Sequence, residues 1–221
     1  MSHTLKILEI TTLTHDVKRF TLEKPEGYTF TPGQATEVAI DQEGYRNEKR
    51  PFTFTSLPED EHLEFTIKAY HDHEGVTHKL DSLVHGDRLL IDDAWGAIEY
   101  KGVGTFIAGG AGITPFIAIL RDLKNKNQLA GNRLLFSNKE AKDVFMREEF
   151  EQMLGENFIS TLSREEVEGH EHGRIDGDFL KKHVTSFSDH FYVCGPDKMV
   201  KDLNEKLKEL GAQPNALVFE E

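Results

Sequence analysis

The run Gly109-Gly110-Ala111-Gly112-Ile113-Thr114-Pro115 has the composition of a backbone cradle for an anion. It follows an apolar segment that reads as a strand, Phe106 to Ala108, and it opens a segment of helical period. Glycines let a backbone turn tightly and approach a phosphate, Thr114 suits an N-cap, and Pro115 suits the first helical position, where no amide hydrogen is needed. The helix start would then aim free amides and a partial positive charge at an anion such as pyrophosphate. A plain strand-to-helix turn uses the same residues, and the run is not the G-x-G-x-x-G fingerprint, because Thr-Pro replaces a third glycine.

Three further stretches carry reactive or binding groups. Arg50-Pro51-Phe52-Thr53-Phe54-Thr55-Ser56 sets a permanent cation, an aromatic face and a hydroxyl within four residues; strand alternation places Phe52 and Phe54 on one side, Thr53 and Thr55 on the other. An ordinary barrel strand has the same pattern. Glu74-Gly75-Val76-Thr77 reads as a turn, and Tyr192-Val193-Cys194-Gly195-Pro196 reads as a buried strand ending in a thiol, where a packing role is the commoner fate. His71-Asp72-His73 and His170-Glu171-His172 have metal-ligand types but read as solvated loops among acids, so no metal site is expected.

Two kinds of element must position these groups. The first hundred residues alternate as short strands, at Leu5 to Thr11, Val17 to Lys24, Ala35 to Ile40, Phe52 to Ser56, Leu63 to Tyr70 and Arg88 to Ile91. Gly- and Pro-rich turns separate them, as in an antiparallel barrel or sandwich. Beyond Lys101-Gly102-Val103-Gly104, strands at Phe106 to Ala108, Arg133 to Phe136, Phe158 to Leu162, Phe191 to Cys194 and Ala216 to Phe219 alternate with helical segments. Those helices are predicted at Pro115 to Lys126, Phe145 to Leu154, Asp178 to His183 and Pro196 to Leu210, the last with an apolar stripe of Met199, Leu203, Leu207 and Leu210. Such alternation means a parallel sheet wrapped by helices, so the boundary falls near residue 100. Trp95-Gly96, just before it, packs either between the domains or beneath a ligand.

Composition narrows the function. One cysteine, Cys194, excludes an intrachain disulfide and a cysteine-ligated iron–sulfur cluster. A net charge of -13 argues against nucleic acid. Residues 1–100 hold 10 Lys and Arg against 19 Asp and Glu, whereas residues 101–221 hold 16 against 20, so the second half better tolerates anionic ligands. Apolar runs fall far short of the roughly 20 residues that span a bilayer. Met1 to Ile10 lacks a basic leader before an apolar block, so a cytoplasmic protein is expected.

In order, RPFT, GVTHKL, GGAGITP and VCGP resemble the motif series of the ferredoxin-NADP reductase superfamily across essentially the whole chain. The resemblance implies a two-domain fold, a six-stranded antiparallel Greek-key β-barrel for flavin at 1–100 followed by an α/β Rossmann-like parallel sheet for NAD(P) at 101–221. It implies that Arg50 pairs with the flavin phosphates, Phe52 packs on the isoalloxazine and Thr53 hydrogen-bonds near N5, and that Pro51, Lys68 and Ala69 also bind a cofactor. Gly75, Val76 and Thr77 would hold the flavin phosphates. Gly110, Gly112, Thr114 and Pro115 would receive the nicotinamide coenzyme, with Cys194 close to its hydride-donating carbon and Gly195 and Pro196 also binding a cofactor. Thr53 and Cys194 are thus the candidate catalytic residues.

The implied activity is hydride transfer from NADPH or NADH onto FAD, favoured over FMN, followed by electron transfer to a separate protein such as ferredoxin or flavodoxin. A free-flavin, quinone or ferric-chelate reductase, or a flavin subunit inert outside a complex, would use the same fold. A monomer is expected. Ser163-Arg164 matches the pair with which NADPH-using relatives grip the 2′-phosphate, although Glu165, Glu166 and Glu168 follow. Two departures stand out: Phe52 replaces the usual Tyr, and the chain ends Leu217-Val218-Phe219-Glu220-Glu221 rather than in an aromatic that covers the flavin. Phe219 could reach that position, and either terminal glutamate could relay protons.

Overall fold

The computed structural model describes residues 2–70, 75–96, 98–213 and 217–219. Strands β1 (His3–Thr12), β2 (Val17–Leu22), β3 (Ala35–Ile40), β4 (Arg50–Thr53), β5 (Leu63–Lys68) and β6 (Arg88–Ile91) form an antiparallel sheet in the order β4-β3-β6-β1-β2-β5. A bridge between Phe54 and Phe65, with the Thr55 amide donating to the Glu64 carbonyl at 2.8 Å, joins the first strand of that order to the last. The sheet thereby curls into a barrel and hides its edges. Alternate residues fill the interior, among them Ile7, Phe20, Leu22, Phe54 and Phe65, all essentially inaccessible.

Where the sequence suggests only a turn, the short helix α1 (Val76–Asp81) covers one end of the barrel. Its buried residues, Val76 and Leu80, are four apart, one helical turn that is too brief for periodicity to reveal. The strand expected at Phe52 to Ser56 begins and ends earlier, because beyond Thr53 the chain crosses to β5.

The second half alternates strand and helix: β7 (Gly104–Gly109), α2 (Thr114–Asn125), β8 (Arg133–Asn138), α3 (Arg147–Leu154), β9 (Phe158–Leu162), the two-residue β10 (Glu171–His172), α4 (Gly177–His183), β11 (His190–Cys194), α5 (Asp197–Glu209) and β12 (Leu217–Phe219). Every strand pair is parallel, in the order β10-β9-β8-β7-β11-β12. Strand β7 is buried along its whole length, as a strand covered on both faces must be. Phe106 and Ala108 face a core with Phe116, Phe136 and Tyr192, while Ile107 faces one with Leu135, Val193, Leu203 and Leu207. In α5, Leu203 and Leu207 of the predicted stripe are buried, and Met199 and Leu210 pack beside them.

The halves are locked together. Val17 and Ile98 from the barrel side join the core beneath α2. Arg121 of α2 donates to the Thr55 carbonyl at 2.7 Å and to Glu64 at 2.9 Å in the barrel, and forks onto Glu149 of α3 at 2.7 and 3.1 Å. Burial works against the charge on this guanidinium, but its two carboxylate partners outweigh burial and raise its pKa further. Two planar donors on one carboxylate fix an angle as well as a distance.

Candidate functional site

Strand β7 has β8 on one side and β11 on the other, so the order of connection reverses there and a crevice opens beyond the strand ends. The barrel faces this crevice. A cavity of about 350 Å³ lies between them, lined by Pro51, Phe52 and Thr53 from β4, Lys68 from β5, Gly112 from the loop after β7 and Cys194 from β11. Thr77, Thr114 and Trp95 also line it. A second cavity of about 250 Å³ adjoins it, sharing Lys68, Tyr70 and Ala111, and runs along Gly110, Asn138, Lys139, Ser163 and Pro196. Together they have the size and mixed polarity of a small-molecule site.

On the parallel-sheet side the wall is backbone against backbone. A Cβ at Gly112 would lie 2.5 Å from the Cys194 carbonyl group and from the Gly195 amide, and one at Gly195 would lie 3.1 Å from the Gly109 amide. No larger residue fits at Gly112. Gly110, at φ +53°, has nothing within 4 Å of where a Cβ would stand, so its backbone faces open space. Cys194 is 8% exposed at the seam. Behind it the Tyr192 hydroxyl accepts from the Lys101 and Gly102 amides at 2.9 and 3.0 Å and donates to the Gly102 carbonyl, tying the interdomain linker to β11.

The expected N-cap is displaced. A single 3₁₀ turn, Gly110–Ile113, runs straight into α2, which makes Ile113 the cap residue and Thr114 the first helical residue. Thr114 has helical angles, φ -56° and ψ -44°, whereas a side-chain cap requires an extended backbone. Pro115 therefore sits second in the helix, still within the turn whose amides have no intrahelical partner.

The barrel side is built from side chains held by charge. Arg50 is about half exposed; it donates to the Lys49 carbonyl at 2.7 Å and lies 3.6 Å from Glu48. Lys68 stands between the two cavities with its ammonium 2.8 Å from Asp16. Burial opposes ionisation of Asp16, but Lys68 and the Thr14 hydroxyl outweigh it and hold the carboxyl below its ordinary value. Asp16, His15 and Asp143, which come from both domains, lie within 4.8 Å of one another, and Lys68 supplies the cation there. Ala69 and Val76 are buried, so they offer the site backbone rather than side chain. Gly75 caps α1 in an extended conformation, with Thr77 reaching the first cavity.

Ser163 lines the second cavity, its amide donating to the Asn138 carbonyl at 3.0 Å, while Arg164 is exposed with its charge beside Glu140. Glu165 is turned away to accept from the Ala141 amide. His170 bonds Arg147 and Ser160, Glu171 pairs with Lys182, and His172 bonds the Glu165 carbonyl, so these three groups point to separate partners. His71, His73, Glu220 and Glu221 lie outside the described residues. The Phe219 backbone pairs with Val193, but its side chain is likewise outside them.

Sequence reasoning missed Tyr70, Asn138, Lys139 and Asp143, which all line the second cavity. Thr66, Lys68 and Tyr70 recur at period two, a signal that could have marked one face; Asn138 gave none, since only the sheet order brings the end of β8 to the crevice. Trp95 resolves to the first cavity, 42% exposed, its backbone bonded both ways to Ala35 at 2.7 and 2.8 Å.

The residues fit a flavin beside a pyridine dinucleotide: an aromatic and a hydroxyl wall, an open glycine loop, and cations at both cavities. Comparison with known proteins agrees. Residues 2–127 match the FAD-binding domain family and residues 106–205 the oxidoreductase NAD-binding domain family. NADH-cytochrome b5 reductase 2 of Mycosarcoma maydis is 30% identical over 93% of this chain, which spans 65% of that relative's length. The flavohem-like FAD/NAD-binding domain of nitric oxide dioxygenase from Vibrio cholerae superposes with a TM-score of 0.87 at 21% identity, covering 98% of this chain and 97% of that one. A ferredoxin NADP+ reductase from Neisseria gonorrhoeae with bound FAD and NADP gives 0.86 at 20% identity, covering 99% and 98%. The chain belongs to the ferredoxin-NADP reductase-like superfamily of FAD- and NAD-binding proteins.

Proposed function

We propose that the chain is a flavoprotein reductase that accepts hydride from NAD(P)H through FAD and delivers electrons singly to a separate redox protein. The observation that carries this reading is the shared cavity, in which Phe52 and Thr53 of the barrel and Gly112 and Cys194 of the parallel-sheet half line one space. Bound flavin supplies the conversion between two-electron and one-electron chemistry. The protein's part is placement. Phe52 gives a flat apolar support, Thr53 a hydroxyl at the same strand end, and Gly110–Gly112 a receiving loop for the coenzyme's phosphates. Cys194, fixed from behind by the Tyr192 anchor, shapes the seam where donor and acceptor must approach to roughly 3–3.5 Å.

Ferredoxin and flavodoxin remain candidate acceptors, and the likeness to NADH-cytochrome b5 reductase adds a small haem protein of the cytochrome b5 kind. Each is a one-electron carrier. For the coenzyme, Ser163 at the second cavity and exposed Arg164 support NADPH, because a 2′-phosphate favours a guanidinium and a hydroxyl. Anaerobic stopped-flow reduction of the FAD-loaded protein tests both points. Fast bleaching with turnover on small acceptors is expected, and Arg164→Ala should raise KM for NADPH severalfold while sparing NADH. No bleaching would make the chain a non-autonomous subunit; equal losses with both coenzymes would make Arg164 structural.

A further inference from the structure

Four buried polar side-chain atoms lack a hydrogen-bond partner among the described residues: Asn138 Nδ2, His183 Nε2, His190 Nδ1 and Asn204 Oδ1. Only Asn138 belongs to a residue lining either cavity of the site. Its side chain ends β8 at 6% exposure, and its carbonyl is already committed to the Ser163 amide at 3.0 Å. The backbone is therefore fixed by strand pairing, and the carboxamide nitrogen is the spare group. Buried amides are nearly always paired, so an unpaired one in a cavity wall is the mark of a partner that arrives with a ligand.

The surroundings say which part of the ligand. The second cavity is already lined by Gly110, Ala111 and Lys139, whose amides and charge suit phosphate oxygens that only accept. A carboxamide both donates and accepts, as a sugar hydroxyl does, and the donor end of this one is unpaired among the described residues. We infer that Asn138 is a positioning residue for the pyridine dinucleotide, its carboxamide hydrogen-bonding a ribose hydroxyl next to the pyrophosphate received by Gly109–Gly112. This rests on the reading of the second cavity as the coenzyme site.

Calorimetric titration of the FAD-loaded protein with ADP-ribose and with inorganic pyrophosphate tests it. Asn138→Leu, similar in volume but unable to pair, should weaken ADP-ribose about tenfold and leave pyrophosphate unchanged. Its melting temperature should not fall, because the substitution removes an unpaired buried amide; in turnover KM should rise with kcat retained. Asn138→Ser should recover part of the affinity and carries the test should the leucine variant not fold. Unchanged ADP-ribose affinity in both variants overturns the inference, as does equal weakening of pyrophosphate, which would move the contact off the ribose. A native protein that binds neither probe would instead overturn the coenzyme reading of the cavity, and this inference with it.

Discussion

The two walls of the central cavity are made differently. On the parallel-sheet side, Gly112 lies against Cys194 and Gly195, and Gly195 against Gly109, with backbone in contact with backbone. On the barrel side, Lys68 and Thr77 present side chains whose positions depend on an ion pair and a short helix, and Arg50 stands outside the lining, at the start of the strand that carries Phe52 and Thr53. A wall fixed by steric contact tolerates almost no substitution, whereas one held by charge can be weakened by degrees. The difference separates what the site must be from what can be tuned.

The largest effect should come from Gly112→Ala. Its Cβ would meet main-chain atoms at 2.5 Å, which cannot swing aside as a side-chain tip would. Overpacking costs about 1–3 kcal/mol or more, and at about 2–4 °C per kcal/mol for a chain of this size the melting temperature should fall by several degrees. Coenzyme binding should be lost with it. Gly110→Ala is the control: it meets open space and carries only the strain of φ +53°, about 1–2 kcal/mol. If both variants melt alike, close packing at Gly112 is not what shapes that wall.

Arg50→Ala addresses the barrel side, at the start of the strand that carries Phe52 and Thr53. With its half-exposed guanidinium bound, among the described residues, to a neighbouring carbonyl and a distant carboxylate, Arg50 contributes little to the fold. Flavin retention measured by equilibrium dialysis should nevertheless fall about tenfold, or about 1.4 kcal/mol, with the melting temperature of the flavin-free protein unmoved. A stability loss without a flavin effect would reverse the contrast between the walls.

The smallest effect concerns pH. Burial holds the His183 imidazole below its ordinary value against the pull of Glu171, and burial with Arg147 does the same for His170. Below about pH 6.5 the unfolded chain takes up protons at these residues before the folded one does, so their contribution is whole above that value and is lost as pH falls beneath it. Asp16, its pKa lowered, keeps its contribution until pH falls below the ordinary carboxylate range. The melting temperature should therefore decline modestly between about pH 7 and pH 5.5, less so in His183→Gln, while flavin retention holds. A flavin loss that tracks the same pH range would place the sensitive groups at the cavity instead.

Much of this was written in local order. Strand alternation in the first hundred residues, strand–helix alternation after Gly104, and the glycine run before α2 each depend on residues a few positions apart, where backbone geometry and side-chain period act directly. The motif series RPFT, GVTHKL, GGAGITP and VCGP likewise needs only sequence order. Helix α1 escaped notice because six residues make too little of a period, and the 3₁₀ turn that displaced Thr114 from the cap depends on how loop amides pair.

What only the tertiary structure decided are distances between residues far apart in the chain. The Arg121 clamp spans 57 positions to Glu64, and the Tyr192 anchor reaches back 91 positions to Lys101. Asn138 enters the site because β8 pairs with β7, and Trp95 faces the cavity because it bridges to Ala35. Local sequence determines which backbone shapes are cheap; which shapes meet is decided by the burial of two cores at once, a property that no short stretch of the chain contains.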